Sequence, residues 1–330
     1  MRGLFARAWR RDRRARVWMG LLLGLVALAL GADLLASDLP LAVEVDGTTW
    51  LLPCVTHPAA LRAESQLTLA ARARWLLPTP IRFGPNQTLA TTGAVRQDAP
   101  PWAPDGEHLL GTDELGRDVL ARILHGARVS LFVALFTVLL AVLVGLLVGG
   151  VAGYAGGVAD AVLSRLLEVM TTFPTVFFLI ALLAVLRTSS LWPLVLVLGL
   201  TRWTDVARLV RGEVLKLKGL EFVLVARAMG ASHGRILVRH LLPNALGPVL
   251  VSATFGIASA VLLETALSFL GLGVAPPTAS WGELLSQAHR YLLHPGAWWL
   301  AVFPGVALTL TVLAVNGVGE SLSRTFDGRR

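Results

Sequence analysis

Charged side chains are scarce in this chain. They make up 15% of its 330 residues, where soluble domains carry about 25%. With 55% hydrophobic residues and a mean hydropathy of +0.68, the deficit points to lipid as the surrounding solvent. Cysteine occurs once, at Cys54. No intrachain disulfide can form, and no cysteine-based zinc or iron–sulfur site can be built. Lysine is confined to Lys216 and Lys218, and no GxxxxGK[ST] loop contains either. The chain therefore has no Walker-type nucleotide site of its own. HExxH, GxSxG and paired catalytic carboxylates are also missing. An enzyme is unsupported, and no catalytic, metal or cofactor residues are expected on this chain. The net charge of +8 comes almost entirely from arginine. Nucleic-acid binding would need a basic face on a soluble fold. Here the arginines cluster between apolar runs, as topology signals do.

Six of those runs approach the roughly 20 residues needed to cross a bilayer. They are Val17–Leu35, Val129–Val151, Ala161–Leu186, Leu191–Val210, Ala245–Gly273 and Trp298–Val318. Arg187-Thr188-Ser189-Ser190 separates the third and fourth as a tight turn. The first run has an arginine-rich front, like a signal peptide, but is longer than a cleaved signal's apolar core. An uncleaved first helix is expected. Arginines crowd the amino terminus (Arg2, Arg7, Arg10, Arg11, Arg13, Arg14, Arg16), the fourth-to-fifth loop and the tail (Arg324, Arg329, Arg330). Six spans put these segments on one side, which the positive-inside rule makes the cytoplasm.

The expected organisation follows. Residues 1–16 are a basic cytoplasmic terminus and 17–36 the first membrane helix. Residues 37–126 form an extracytoplasmic insert, and 127–318 hold five more membrane helices with a cytoplasmic loop at 211–244. Residues 319–330 are a cytoplasmic tail. The fold class is an all-α integral membrane protein. The insert is rich in proline yet carries short apolar runs such as Trp50-Leu51-Leu52. It reads as a small irregular subdomain on the membrane face, with a disordered linker as the alternative.

The loop reads RGEVLKLKGLEFVLVARAMGASHGRILVRHLLPN, from Arg211 to Asn244. Leu220–Met229 suits a helix, and Gly230 suits its stop. Ser232 can cap a second helix carrying Arg235 and Arg239 on one face. Pro243 can start the next membrane helix, where its missing N–H costs nothing. Two readings stay open on these grounds: a basic loop on anionic lipid, or a dock for a cytoplasmic partner.

The run ARAMGASHGRILVRHLLPN resembles the EAA loop of bacterial ABC-importer permeases. The match falls on Ala226, Gly230, Leu242 and Pro243, with Ala231, Ser232, Arg235 and Arg239 between them. Leu224 and Val225 depart from the pattern, standing at its glutamate and first alanine. In that family the loop is the coupling helix that sits in a groove of the ATPase subunit. GTDELGRDVLARILHGARVSL (Gly111–Leu131) and ETALSFLGLGVAPPTASWGELL (Glu264–Leu285) resemble the second permease of dipeptide, oligopeptide and nickel importers. ASDLPLAVEVDGTTW and PIRFGPN resemble the permease of the oligopeptide importer that also takes up microcin C. The resemblance implies the six-helix type I importer fold. It also implies a homologous second permease, two ATPase subunits or one fused ATPase holding ATP and magnesium, and a periplasmic peptide-binding protein. The implied location is the bacterial inner membrane.

Other residues invite expectations from their chemistry. In Gly111–Leu131, Thr112 or Asp113 can cap a helix whose polar face is Asp118, Arg122 and His125, lying at the outer interface. Trp281 suits the headgroup level. Gly111, Thr112, Asp113, Gly116, Asp118 and Trp281 are the candidates for the periplasmic interface. Glu264 is a carboxylate deep in the fifth run. Lipid exposure there would cost several kcal/mol, so it should face a translocation path or hydrogen-bond between helices. Gly145, Gly149 and Gly153 make a smooth strip for close helix approach. Pro174, Pro248 and Pro304 can kink their helices. A stand-alone secondary transporter is the competing reading. It calls for several buried charges and an inverted repeat, neither of which is visible.

Overall fold

The computed structural model describes residues 12–62, 64–88, 99–172, 174–186, 190–291 and 296–327. The expected turn at Arg187–Ser189, Arg2, Arg7, Arg10, Arg11, Arg329, Arg330 and insert residues 89–98 lie outside them.

The chain is mainly helical. Helices α1 (Arg13–Leu30) and α2 (Ala32–Leu35) lead into strands β1 (Ala42–Val45) and β2 (Thr48–Leu51). Short helices α3 (Pro53–Thr56) and α4 (Gln66–Ala70) precede β3 (Trp75–Leu77). Then follow α5 (Val119–Ala155), α6 (Gly157–Thr172), α7 (Thr175–Leu186) and α8 (Leu191–Leu217). Next are α9 (Glu221–Ala228), α10 (His233–Ile236), a π-helical turn at Leu237–Leu241 and α11 (Leu242–Phe269). Helices α12 (Trp281–Tyr291) and α13 (Trp299–Asp327) close the described chain.

Among the described residues, three helices are long and apolar enough to cross a membrane: Val119–Ala155, His233–Phe269 and Trp299–Phe326. The third expected run is broken beside Pro174 into α6 and α7, set 81° apart, and counts as a fourth if the pair is one span. The first and fourth runs are helical, but α1 opens on Arg13, Arg14 and Arg16 ahead of the first run, and Arg202, Asp205 and Arg208 interrupt the fourth.

Two compact units emerge. The first comprises Met1–Gly20, Val133–Val261 and Val312–Arg330. Its core gathers Val206, Val210 and Val214 of α8 with Val223, Ile236, Leu241 and Val249. The glycine strip of α5 lies against α8. A methyl group at Gly145 would sit 2.6 Å from Val206, and one at Gly153 would sit 2.8 Å from the Arg211 carbonyl. Gly149 meets the Ala207 backbone still more tightly. Only the missing side chains permit this approach.

The second unit comprises Leu21–Phe132 and Leu262–Thr311. Its insert departs from the expected irregular subdomain. It contains an antiparallel sheet in the order β2-β1-β3. Asp46 and Gly47 both take positive φ, 52° and 74°. That is the type I′ hairpin turn that Asp-Gly favours. The signal was present in VEVDGTTW and overlooked, because the surrounding prolines dominate the composition. One sheet face packs Val43, Val45, Trp50 and Leu76 around Leu39, Cys54, Leu61 and Leu69.

Candidate functional site

The loop after α8 is a rigid bend. Leu220 precedes α9, and Gly230 follows it with φ +82°. The Gly230 N–H donates to the Arg227 carbonyl at 3.0 Å, and Ala231 N–H to the Ala226 carbonyl at 3.0 Å. This pair is a Schellman motif, with the glycine at the one position where a side chain would be strained. Ala226 and Ala231 pack on the same core, completing the stop. Ser232 then precedes α10, but its hydroxyl makes no capping bond; its carbonyl accepts from Ile236 N–H at 3.0 Å.

Two fully buried side chains, Val223 and Ile236, anchor the bend in the core formed with α8. Tyr154 of α5 hydrogen-bonds His233 Nδ1 at 2.7 Å. Lys218 Nζ donates to the Gly153 carbonyl at 3.2 Å. Arg211 forms a two-bond ion pair with Asp160 at 2.5 and 2.8 Å. The bend is therefore tied to α5 and α8 of its own unit, and α8 to α6.

What remains outside is mixed in character. Phe222, Leu224, Val225, Met229 and Val238 are exposed, as are Arg227, Arg235 and Arg239. Leu224 and Val225, the two departures from the family pattern, both belong to this surface. Leu242 is half-buried against the core. Pro243 departs from its expected role. It does not open a new helix, because the helix runs unbroken from His233 to Phe269. The π turn just before it loosens the backbone where the proline ring would otherwise clash with the preceding turn.

The second set of candidates is buried in the other unit. Asp113 accepts from the Leu115 and Arg117 backbone N–H groups and from Arg117 Nε at 2.7 Å. Arg122 Nη2 donates to Glu283 Oε2 at 2.6 Å, and its Nε lies 3.3 Å from Asp113. Two arginines and two carboxylates thus neutralise one another out of water. Asp118, rather than Thr112 or Asp113, caps α5: its Oδ1 accepts from Ala121 N–H at 2.8 Å, while Oδ2 meets His108 Nδ1. Thr112 instead bonds the Trp102 backbone. Gly111 and Gly116 take positive φ, 77° and 74°, at the turns of this segment.

All six expected periplasmic-interface candidates are buried. Trp281 packs inside the unit, where its Nε1 donates to the Ile123 carbonyl at 3.1 Å. Asp118 and Arg122 likewise turn inward, because His108 meets Asp118 and Glu283 on α12 supplies the counter-charge of Arg122. No helical-wheel reading could locate that partner, 161 residues away in sequence.

Glu264 is fully buried, and hydroxyls hold it: Ser130 at 2.9 Å and Ser268 at 2.8 Å. Sequence reasoning missed three charges on α8. Arg202 donates to Ser259 at 2.7 Å. Asp205 and Arg208 are exposed and make no ion pair among the described residues.

The comparisons agree with this architecture. Residues 141–330 match the family described as binding-protein-dependent transport system inner membrane component. A Brucella suis protein provisionally named a peptide permease is 43% identical over 227 residues, 69% of this chain and 75% of that protein. A second Brucella suis protein, provisionally named a peptide transport system permease, is 38% identical over 263 residues, covering 80% and 85% of the two chains. The dipeptide transport system permease DppC of Alkalihalophilus pseudofirmus is 39% identical over 224 residues, covering 68% and 73%. With the matched region taking in the glycine strip, the anchored bend and the helices that hold it, this chain belongs to the family of binding-protein-dependent transport system inner membrane components.

Proposed function

We propose that this chain is the permease subunit of an ATP-driven importer and forms half of a translocation path for peptides. The relatives named for peptide and dipeptide transport support the substrate class. The insert motifs extend this reading to peptide conjugates such as microcin C. The chain is a non-catalytic subunit; ATP and magnesium belong to two partner ATPase subunits or one fused ATPase. A homologous second permease completes the path, and a periplasmic binding protein delivers the peptide. The alternative of a stand-alone secondary transporter gains nothing from these relatives.

One observation carries the mechanism: a bend with a buried anchor and an exposed outer face. Val223 and Ile236 fix it to α8, so force on the outer face moves helices rather than a slack loop. The outer face offers apolar side chains where the family pattern has a glutamate. Its grip on an ATPase groove then rests on Leu224, Val225 and Met229, with the three arginines at the edge. Because Glu264 is buried, Asp205 and Arg208 are the better candidates for the path. Charges on a membrane helix belong against water or a partner rather than lipid.

Orientation follows the arginines, with both termini and the bend in the cytoplasm and the insert outside. A cysteine introduced at Ser232 should resist an impermeant thiol reagent in intact spheroplasts and react after lysis. The central experiment is co-purification with the ATPase and binding-protein subunits, followed by a peptide-stimulated ATPase assay. Val225→Glu with Met229→Glu should reduce ATPase co-purification while the permease stays abundant. Undiminished co-purification would show that the ATPase docks elsewhere.

A further inference from the structure

We infer that the outward face of the insert's sheet lies on the lipid bilayer, as an interfacial anchor beside the first helix. The registers Ala42↔Leu51 and Ala42↔Leu77, with Glu44↔Trp75, put these side chains on one face. The opposite face, with Val43, Val45, Trp50 and Leu76, is the one used by the insert core. Large apolar side chains dominate the outward face beside Glu44 and Thr49: Leu51, Leu77 and Trp75 are 73%, 54% and 42% exposed. Leu52 and Val55 extend the same exposed surface onto α3. Several exposed large apolar side chains on a sheet face whose other side already has a core are the informative kind of exposure.

Continuity identifies what covers it. Leu23, Leu30 and Leu34 are exposed at i, i+7 and i+11, one stripe of the first helix and its extension α2. Helix α2 packs on α3. The backbone then stitches α3 to the sheet: Leu52 N–H donates to the Leu41 carbonyl at 2.8 Å, and Leu41 N–H to that of Leu77 at 2.9 Å. The first helix, with its exposed leucine stripe, is thus joined to the sheet through α2 and α3.

The polar groups on this face suit the headgroup layer. Glu44 accepts from Trp75 Nε1 at 2.7 Å, so the indole is satisfied without water. The same carboxylate holds Arg74 at 3.4 Å, leaving its guanidinium mostly open to a phosphate. Leucine, tryptophan and arginine on one face are the composition of an interfacial element. A binding protein would meet a face without the charge complementarity that guides transient docking.

Nitroxide labels at Leu51→Cys and Leu77→Cys test this in the assembled transporter in lipid nanodiscs, with Ala60→Cys as the water-exposed reference. The ratio of oxygen to nickel-chelate collision rates should be about threefold higher at both sites than at Ala60, as burial at the headgroup boundary requires. A ratio equal to that at Ala60 would put the face in water and overturn the proposal. Protection that appears only when the binding protein is added, or that survives complete replacement of lipid by detergent, would assign the face to a protein and overturn it equally. The unmodified complex supplies an independent readout. A phosphatidylcholine with a diazirine near the top of its acyl chain should leave adducts on the tryptic peptide containing Trp75. Adducts confined to the membrane helices would sink the idea even if the labelled variants folded poorly.

Discussion

Arginine serves opposite ends in the two units. Arg117 and Arg122 are buried with Asp113 and Glu283, and their charges close on one another. Arg227, Arg235 and Arg239 stand exposed around an apolar surface, with no ion pair among the described residues. The first set holds a fold together, and the second is available to something else. Residue type does not separate them, because both sets are arginines. Whether a carboxylate arrives from a distant element decides the matter.

The comparison predicts a steep gradient of mutational effects. Arg122→Ala should be the most damaging, since it removes the nearest cation from buried Glu283 and leaves Arg117 Nη2 at 3.6 Å. Breaking a buried pair in this way costs about 3–5 kcal/mol. The thermal midpoint of the purified complex and the membrane abundance should both fall. Wild-type stability for this variant would erase the distinction between the two sets. Gly149→Leu comes next. It overpacks the α5–α8 contact, at about 1–3 kcal/mol, read by the same thermal assay.

Gly230→Val should have a smaller effect on stability and a larger one on transport. Nothing crowds the glycine, so the penalty is the left-handed backbone alone, about 1–2 kcal/mol. Abundance should stay near wild type while peptide uptake drops. Normal uptake from abundant Gly230→Val protein would remove the bend from the coupling mechanism. Arg239→Ala, exposed and unpaired, should change stability by no more than about 0.5 kcal/mol, with any defect confined to ATPase association.

The smallest expected signal is at Cys54. The thiol is fully buried in the insert core, and burial pushes its pKa up. The reactive thiolate should therefore form only above the pH usual for a free thiol. Maleimide labelling of native protein should be negligible at neutral pH and rise on alkalinisation or unfolding. Rapid labelling at neutral pH would mean that the insert core is open.

Much of this was legible in the sequence. Gly230 and the small residues around it marked the stop of α9, because a left-handed backbone position has few occupants. The glycine strip announced a close helix contact, though not that α8 supplies it. Pro174 marked the break between α6 and α7. Local rules failed where a long-range partner changed the outcome. Thr112 and Asp113 are chemically sound caps, but Thr112 bonds the Trp102 backbone and Asp113 holds Arg117, so Asp118 caps α5 instead. Pro243 was a sound helix start until the π turn let the helix pass through it. Asp-Gly at 46–47 was a hairpin signal hidden in a proline-rich segment.

The sequence by itself determined that this is a membrane protein, and where its bend must lie. Those properties follow from composition and from backbone geometry within a few residues. Only the tertiary structure decided which charges are spent inside the fold and which are left outside. Coulombic pairing depends on distance in space: Glu283 meets Arg122 across 161 residues, while Arg239 meets no carboxylate among the described residues.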